Sequence, residues 1–242
     1  MKLKLTINAK IHEIECQPGD TLFTVLRRQG YYGVKFGDEQ GLSGSDTVIL
    51  DSKPVNSSLL LAAQAEGHLI VTIEGLGEHP DQGWRKTDGL HPIQQAFVES
   101  GAIQCGYCTP AQVLAAKALL DKNPNPTEEE VREAISGVLC RCTGYAKPVQ
   151  AILRAAAVIR GETFQDAGQG WEWVKPEASN NDTPGNSTNI QTRVMPKMVL
   201  VSDRAPYQTV GKPEKKVDAI KLVQGKPAFT ADLEPRGMLH AK

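Results

Sequence analysis

Apolar and polar residues alternate through Lys2-Leu3-Lys4-Leu5-Thr6-Ile7, the period of a strand with one buried face. Ile11, Ile14 and Cys16 mark a second strand, with Asn8-Ala9-Lys10 as the turn between them. Pro18-Gly19 breaks the alternation, and Asp20 or Thr21 then caps a helix that carries Leu22, Val25 and Leu26 and stops at Gly30. Residues 33–46 are rich in glycine and poor in apolar side chains, and so form a loop. Thr47-Val48-Ile49-Leu50 is a strand, Asp51-Ser52-Lys53-Pro54 a turn, and His68 to Ile73 a further strand. Short strands around a single helix predict a small α+β domain over residues 1–76.

The pattern changes after Gly77. Residues 77–89 are polar, carry Pro80, Gly83 and Trp84, and read as a linker. Residues 90–161 hold four helical segments. His91-Pro92 opens the first, and Thr109-Pro110 the second, with proline where a missing N–H costs nothing. Thr127 caps the third, whose Glu128-Glu129-Glu130 suits the positive end of the helix dipole. The fourth runs from about Pro148 to Ile159. Short connections between four helices predict an all-α four-helix bundle. Residues 162–205 lose periodicity and read as a second linker. Residues 206–242 regain apolar content but are too few to bury a core alone.

Composition narrows the function. A formal net charge of -1 over 242 residues gives no electrostatic reason for a nucleic-acid partner. No apolar run reaches the roughly 18–20 residues that span a membrane, and the N-terminus lacks the continuous apolar block of a signal peptide. A cytoplasmic location is the expectation.

The candidate chemistry lies in the cysteines. The chain has five, an odd number that argues against a disulfide framework. Cys16 sits in a strand pattern and reads as a small buried hydrophobe. The other four form two tight pairs, Cys105-Gly-Tyr-Cys108 and Cys140-Arg-Cys142. Each pair falls in a turn beside a helix end, so four thiolates from two loops can enclose a metal centre. On spacing alone two centres remain open. One is an iron–sulfur cluster; the other is a structural zinc ion in a non-enzymatic interaction module.

The residues around the cysteines say more than the spacing. Gln104-Cys-Gly-Tyr-Cys-Thr-Pro110 and Leu139-Cys-Arg-Cys-Thr-Gly-Tyr145 closely resemble the second, all-helical iron–sulfur domain of the molybdenum hydroxylases, the xanthine dehydrogenase and aldehyde oxidoreductase family. The resemblance implies one [2Fe–2S] cluster on Cys105, Cys108, Cys140 and Cys142. It places Gln104 and Cys142 beside the molybdopterin, which a partner domain or subunit would hold. It also implies a flavin subunit or another electron acceptor, with any FAD outside this chain. The expected activity is electron transfer during hydroxylation of a purine, another N-heterocycle or an aldehyde. Gly225-Lys-Pro-Ala-Phe-Thr-Ala-Asp232 and its surroundings resemble the opening of the family's molybdopterin-binding part, so 206–242 would be its start.

Residues 1–76 are similar to the family's other iron–sulfur domain, a ferredoxin-like β-grasp fold whose loop reads Gly-Cys-x-x-Gly-x-Cys-Gly-x-Cys-Thr-Val. Here Gly37 to Val48 keeps the glycines and the Thr-Val ending, but Asp38, Ser43 and Asp46 stand at the three cysteine positions, and Ser58 at the fourth. Iron–sulfur clusters need soft thiolate ligands, so the first cluster is expected to be absent, as in the selenium-dependent and purine-hydroxylase-like branch. Short Asp and Ser side chains readily bond loop amides, and that role is favoured here over binding of a hard cation.

Overall fold

The computed structural model describes residues 1–77, 89–162, 215–233 and 237–239. Both linkers expected from the sequence fall almost wholly outside these residues. No helix among the described residues is long and apolar enough to cross a membrane.

The N-terminal part is a five-stranded mixed sheet of β1 (Lys2–Ile7), β2 (Lys10–Glu15), β3 (Thr47–Leu50), β4 (Lys53–Asn56) and β5 (Leu69–Val71). The order is β2-β1-β5-β3-β4; β1 and β5 run parallel and every other pair antiparallel. The alternation in β1 does what its period predicts, burying Leu3, Leu5 and Ile7. They pack with Leu22, Val25 and Leu26 of helix α1 (Leu22–Arg28), and Cys16 lies in the same core. The Thr21 hydroxyl caps α1 by accepting from the Thr24 amide at 3.2 Å.

Several boundaries differ from the sequence reading, and Lys10, read as turn, already belongs to β2. Lys53-Pro54 is not turn but strand. Asp51 and Ser52 alone make the turn, both with positive φ, and Pro54 pairs with Ile49. β4 is the sheet edge, where proline's missing donor faces no neighbour. The strand expected over His68 to Ile73 shortens to Leu69–Val71, because residues Ile73–Gly75 tighten into a 3₁₀ turn.

The remaining helices are α2 (Pro92–Glu99), α3 (Thr109–Lys122), α4 (Glu128–Ile135), α5 (Ala146–Ile159) and α6 (Ala219–Val223). All four helices read between residues 90 and 161 are present. In α4, Thr127 and Glu130 cap each other: the Glu130 amide donates to the Thr127 hydroxyl at 3.2 Å, and the Thr127 amide to the Glu130 carboxylate at 2.7 Å. Helix α5 starts two residues before Pro148, in its first turn, where proline is tolerated. Phe97, Leu114, Ile135 and Ile152 fill the helical core, which Ile49, Ile73 and Leu76 of the N-terminal part also enter. Leu222 and Val223 of α6 belong to this core as well, so the C-terminal residues complete a core built mainly by others.

Candidate metal centre

Cys108 is the residue before α3, where unpaired amides and the helix dipole favour negative charge. Gly106, two residues earlier, has φ +82°, and a Cβ there would lie 2.6 Å from Leu222 Cδ1. Only glycine both turns the chain this way and admits α6. The second cysteine loop is pinned by its own side chains. The Tyr145 hydroxyl accepts from the Cys140 amide at 2.8 Å and donates to the Val138 carbonyl at 3.2 Å. Thr143 holds both the Tyr145 amide and, at 3.1 Å, Cys140 Sγ. Tyr145 itself is in the left-handed region, φ 64°.

The two loops bring the thiols close enough to feel one another: Cys105 interacts with Cys142 and Cys140 of the second loop, and Cys108 with Cys140 and Cys105. Cys108 is buried, Cys140 half-buried, and Cys105 and Cys142 exposed, as are their neighbours Gln104 and Arg141. Burial, and next the adjoining Cys140 and Cys105, push the Cys108 thiol far up. Burial and Cys142 likewise raise Cys105. At Cys140 burial opposes ionisation, but the Thr143 hydroxyl and nearby amides outweigh it and hold the thiol below its ordinary value. Crowded thiols of this sort ionise together only around a cationic centre. Four sulfur donors from two loops suit a cluster of two irons with two thiolates apiece.

The four oxygen residues of the N-terminal loop do something else. Asp38 accepts from the amides of Gln40 (2.7 Å), Leu42 (3.0 Å) and Ser43 (2.7 Å). The Ser43 side chain and these amides hold its carboxyl well below the usual carboxylate range. Buried Asp46 accepts from the Ser58 amide at 2.6 Å and the Ser57 hydroxyl at 3.4 Å. Ser43 Oγ is 3.3 Å from Ser45 Oγ, and the Ser58 hydroxyl has no partner among the described residues. Asp38 and Asp46 thus serve as acceptors for loop amides, whereas the Ser43 and Ser58 hydroxyls do not. Among the described residues no three His, Cys, Asp or Glu side chains, the four cysteines included, gather around one point as a single ion would need; a two-iron cluster spreads its four thiolates over two irons.

This loop also braces the metal centre. The Leu139 amide donates to the Ser43 carbonyl at 2.8 Å. A Cβ on Gly44 would fall 2.0 Å from the Gly137 carbonyl oxygen. On the other side, the Tyr107 hydroxyl donates to the Phe36 carbonyl at 2.5 Å. Sequence reasoning assigned no role to Tyr107, Thr143 or Tyr145. Their only sequence signal is their place between or just after paired cysteines, where a loop needs internal struts.

Comparison with known proteins now defines the class. Residues 72–153 match the family described as "[2Fe-2S] binding domain". That match selects iron–sulfur over zinc, the choice that spacing left open. The chain is 45% identical over 156 residues to the nicotinate dehydrogenase small FeS subunit of Eubacterium barkeri, covering 64% of this chain and 93% of that one. It is 39% identical over 160 residues to the nicotine 6-hydroxylase small subunit of Paenarthrobacter nicotinovorans, 66% of this chain and 92% of the other. In structure it is similar to the aldehyde oxidoreductase of Desulfovibrio desulfuricans, with TM-score 0.70 and 31% identity, over 96% of this chain but 22% of that one. The protein is the iron–sulfur part of an oxidoreductase. It belongs to the xanthine dehydrogenase and aldehyde oxidoreductase family of molybdenum hydroxylases.

Proposed function

We propose that this chain is the electron-transfer part of a molybdenum hydroxylase, serving the oxidative hydroxylation of a purine, another N-heterocycle or an aldehyde. The observation that carries the reading is that two loops place Cys105 and Cys108 near Cys140 and Cys142, within residues 72–153 that match the [2Fe-2S] binding domain. When bound there, a [2Fe–2S] cluster accepts and releases one electron at a time. Gly106 and Tyr145 set the shape of the two loops, and Cys108 and Cys140 bury one side of the centre. The exposed side, with Gln104, Cys105 and Cys142, faces the molybdopterin of a partner domain or subunit.

On this reading residues 1–76 are a β-grasp ferredoxin-like domain without a cluster, 90–161 the helical cluster domain, 77–89 and 162–205 linkers, and 206–242 the start of the molybdopterin-binding part. Asp38, Ser43, Asp46 and Ser58 leave no thiolate for a first cluster. A flavin partner or other acceptor, with FAD bound outside this chain, is then reached from the helical domain's cluster directly. The assembly works in the cytoplasm. The test is to purify the chain under anaerobic conditions with whatever binds it and to identify metals and cofactors. Iron with molybdenum and a pterin in one complex is the expected result; a complex without molybdenum contradicts it.

A further inference from the structure

The C-terminal residues are held by a set of side chains that the cluster chemistry does not use. Lys35 is 2% exposed, and its ammonium meets Asp232 Oδ2 at 2.6 Å. Arg27 grips the same turn at two points, Asp232 Oδ1 at 2.8 Å and the Ala231 carbonyl at 2.6 Å. Asp232 also accepts from the amides of Ala228 and Phe229, each at 3.1 Å, so the turn carries its own internal frame. The Phe229 ring sits between Lys35 Nζ, 4.8 Å from its centroid, and the Tyr107 ring, 5.0 Å away edge-on. Fully buried Gln94 donates to the Val223 carbonyl at 3.0 Å.

Shape matches charge. A Cβ on Gly33 would lie 3.1 Å from Gly225 Cα, and one on Gly225 would lie 2.8 Å from Gly33 Cα. The two backbones meet where neither can carry a side chain. Two buried polar groups, Lys35 and Gln94, therefore find partners on residues 223–232. Glycines on both sides fix the fit.

We propose that Arg27, Gly33, Lys35, Gln94 and Tyr107 form a peptide-binding site for a segment bearing an aromatic residue three positions before an aspartate. In this chain Phe229 and Asp232 fill it, and the affinity does not depend on the covalent link through residues 165–214. The site seats the polypeptide that follows the iron–sulfur module. Small-subunit relatives matched over more than nine-tenths of their length account for only about two-thirds of this chain. In such proteins the same chemistry would take the segment from a separate chain.

The test keeps the whole protein. A specific protease site is placed between residues 165 and 214, the purified chain is cleaved under native conditions, and the fragments are separated by gel filtration. The C-terminal fragment should stay with the N-terminal one. Displacement of that fragment by synthetic peptides of residues 215–233 then measures the site, with every substitution in the peptide so that the module stays native. Losing the carboxylate strands the buried Lys35 charge, so the Asp232→Ala peptide should compete roughly 100-fold less well, or worse. Separation of the unmodified fragments on cleavage overturns the proposal. So does an Asp232→Ala peptide that competes within tenfold of the native one. Neither readout depends on the cluster or on turnover.

Discussion

Lys35 Nζ lies 2.6 Å from a carboxylate oxygen of Asp232, 197 positions further along the chain, and the two side chains are 2% and 1% exposed. Burial pushes the Lys35 ammonium below the ordinary lysine range even with Asp232 beside it. Burial opposes ionisation of Asp232 too, but Lys35 and Arg27 hold it below the usual carboxylate range. A buried pair of this kind is weak evidence of net stabilisation, yet breaking it from one side is costly. Lys35→Ala should lower stability to urea by about 3–5 kcal/mol. The Lys35→Met/Asp232→Leu double variant should recover most of that loss. A single-variant cost below about 1 kcal/mol would show that the pair is not closed to water.

Glu74 gives a pH dependence. Burial raises its carboxyl above the ordinary range, although the Gly33 amide, at 2.6 Å, favours the ionised form; Oε2 is buried without a partner among the described residues. The ionisable groups that interact with it are Lys35 and Tyr31. A raised folded value means that the protonated carboxyl's contribution is complete below the unfolded value and is lost as pH rises through the folded one. Wild type should therefore lose stability relative to Glu74→Gln as pH rises above the ordinary carboxylate range, read from urea midpoints at each pH. Parallel profiles for the two proteins would refute the assignment.

Much of this was legible in the sequence. The period-two pattern of Leu3, Leu5 and Ile7 and the Thr127–Glu130 cap are local signals, and the fold keeps them. The cysteine spacing marks two loops inside the stretch that matches the [2Fe-2S] binding domain, because metal-binding loops concentrate their chemistry within a few residues. Strand β4 was missed because Pro54 is a turn residue unless the strand lies at an edge, and edges are set by the whole sheet. The roles of Lys35, Gly33 and Asp232 could not be read, since each partner lies far away in sequence and a lone lysine looks like surface.

Asp38 accepts hydrogen bonds from three loop amides. Asp38→Ala should speed hydrogen exchange at Gln40, Leu42 and Ser43 while leaving the protein's visible colour unchanged, and Asp38→Asn should restore part of the protection. Loss of colour in Asp38→Ala would mean that the loop touches the cluster.

The cysteines should separate cleanly. Replacing Cys105, Cys108 or Cys140 with Ala should bleach the visible absorption and destabilise the helical part, because metal binding and folding are coupled. Cys16 is 7% exposed within the sheet's core, so Cys16→Ala should keep the colour and lose about 1–2 kcal/mol of packing. Bleaching by Cys16→Ala would disprove the ligand assignment.

One cluster per chain, on Cys105, Cys108, Cys140 and Cys142 and nowhere else, is the expectation most open to direct measurement. Iron and acid-labile sulfide analysis of anaerobically purified protein, with electron paramagnetic resonance of the reduced form, measures this directly. Two irons and two sulfides per chain and a single [2Fe–2S] signal are expected. Four irons with two distinct signals, or one zinc without sulfide, would contradict it.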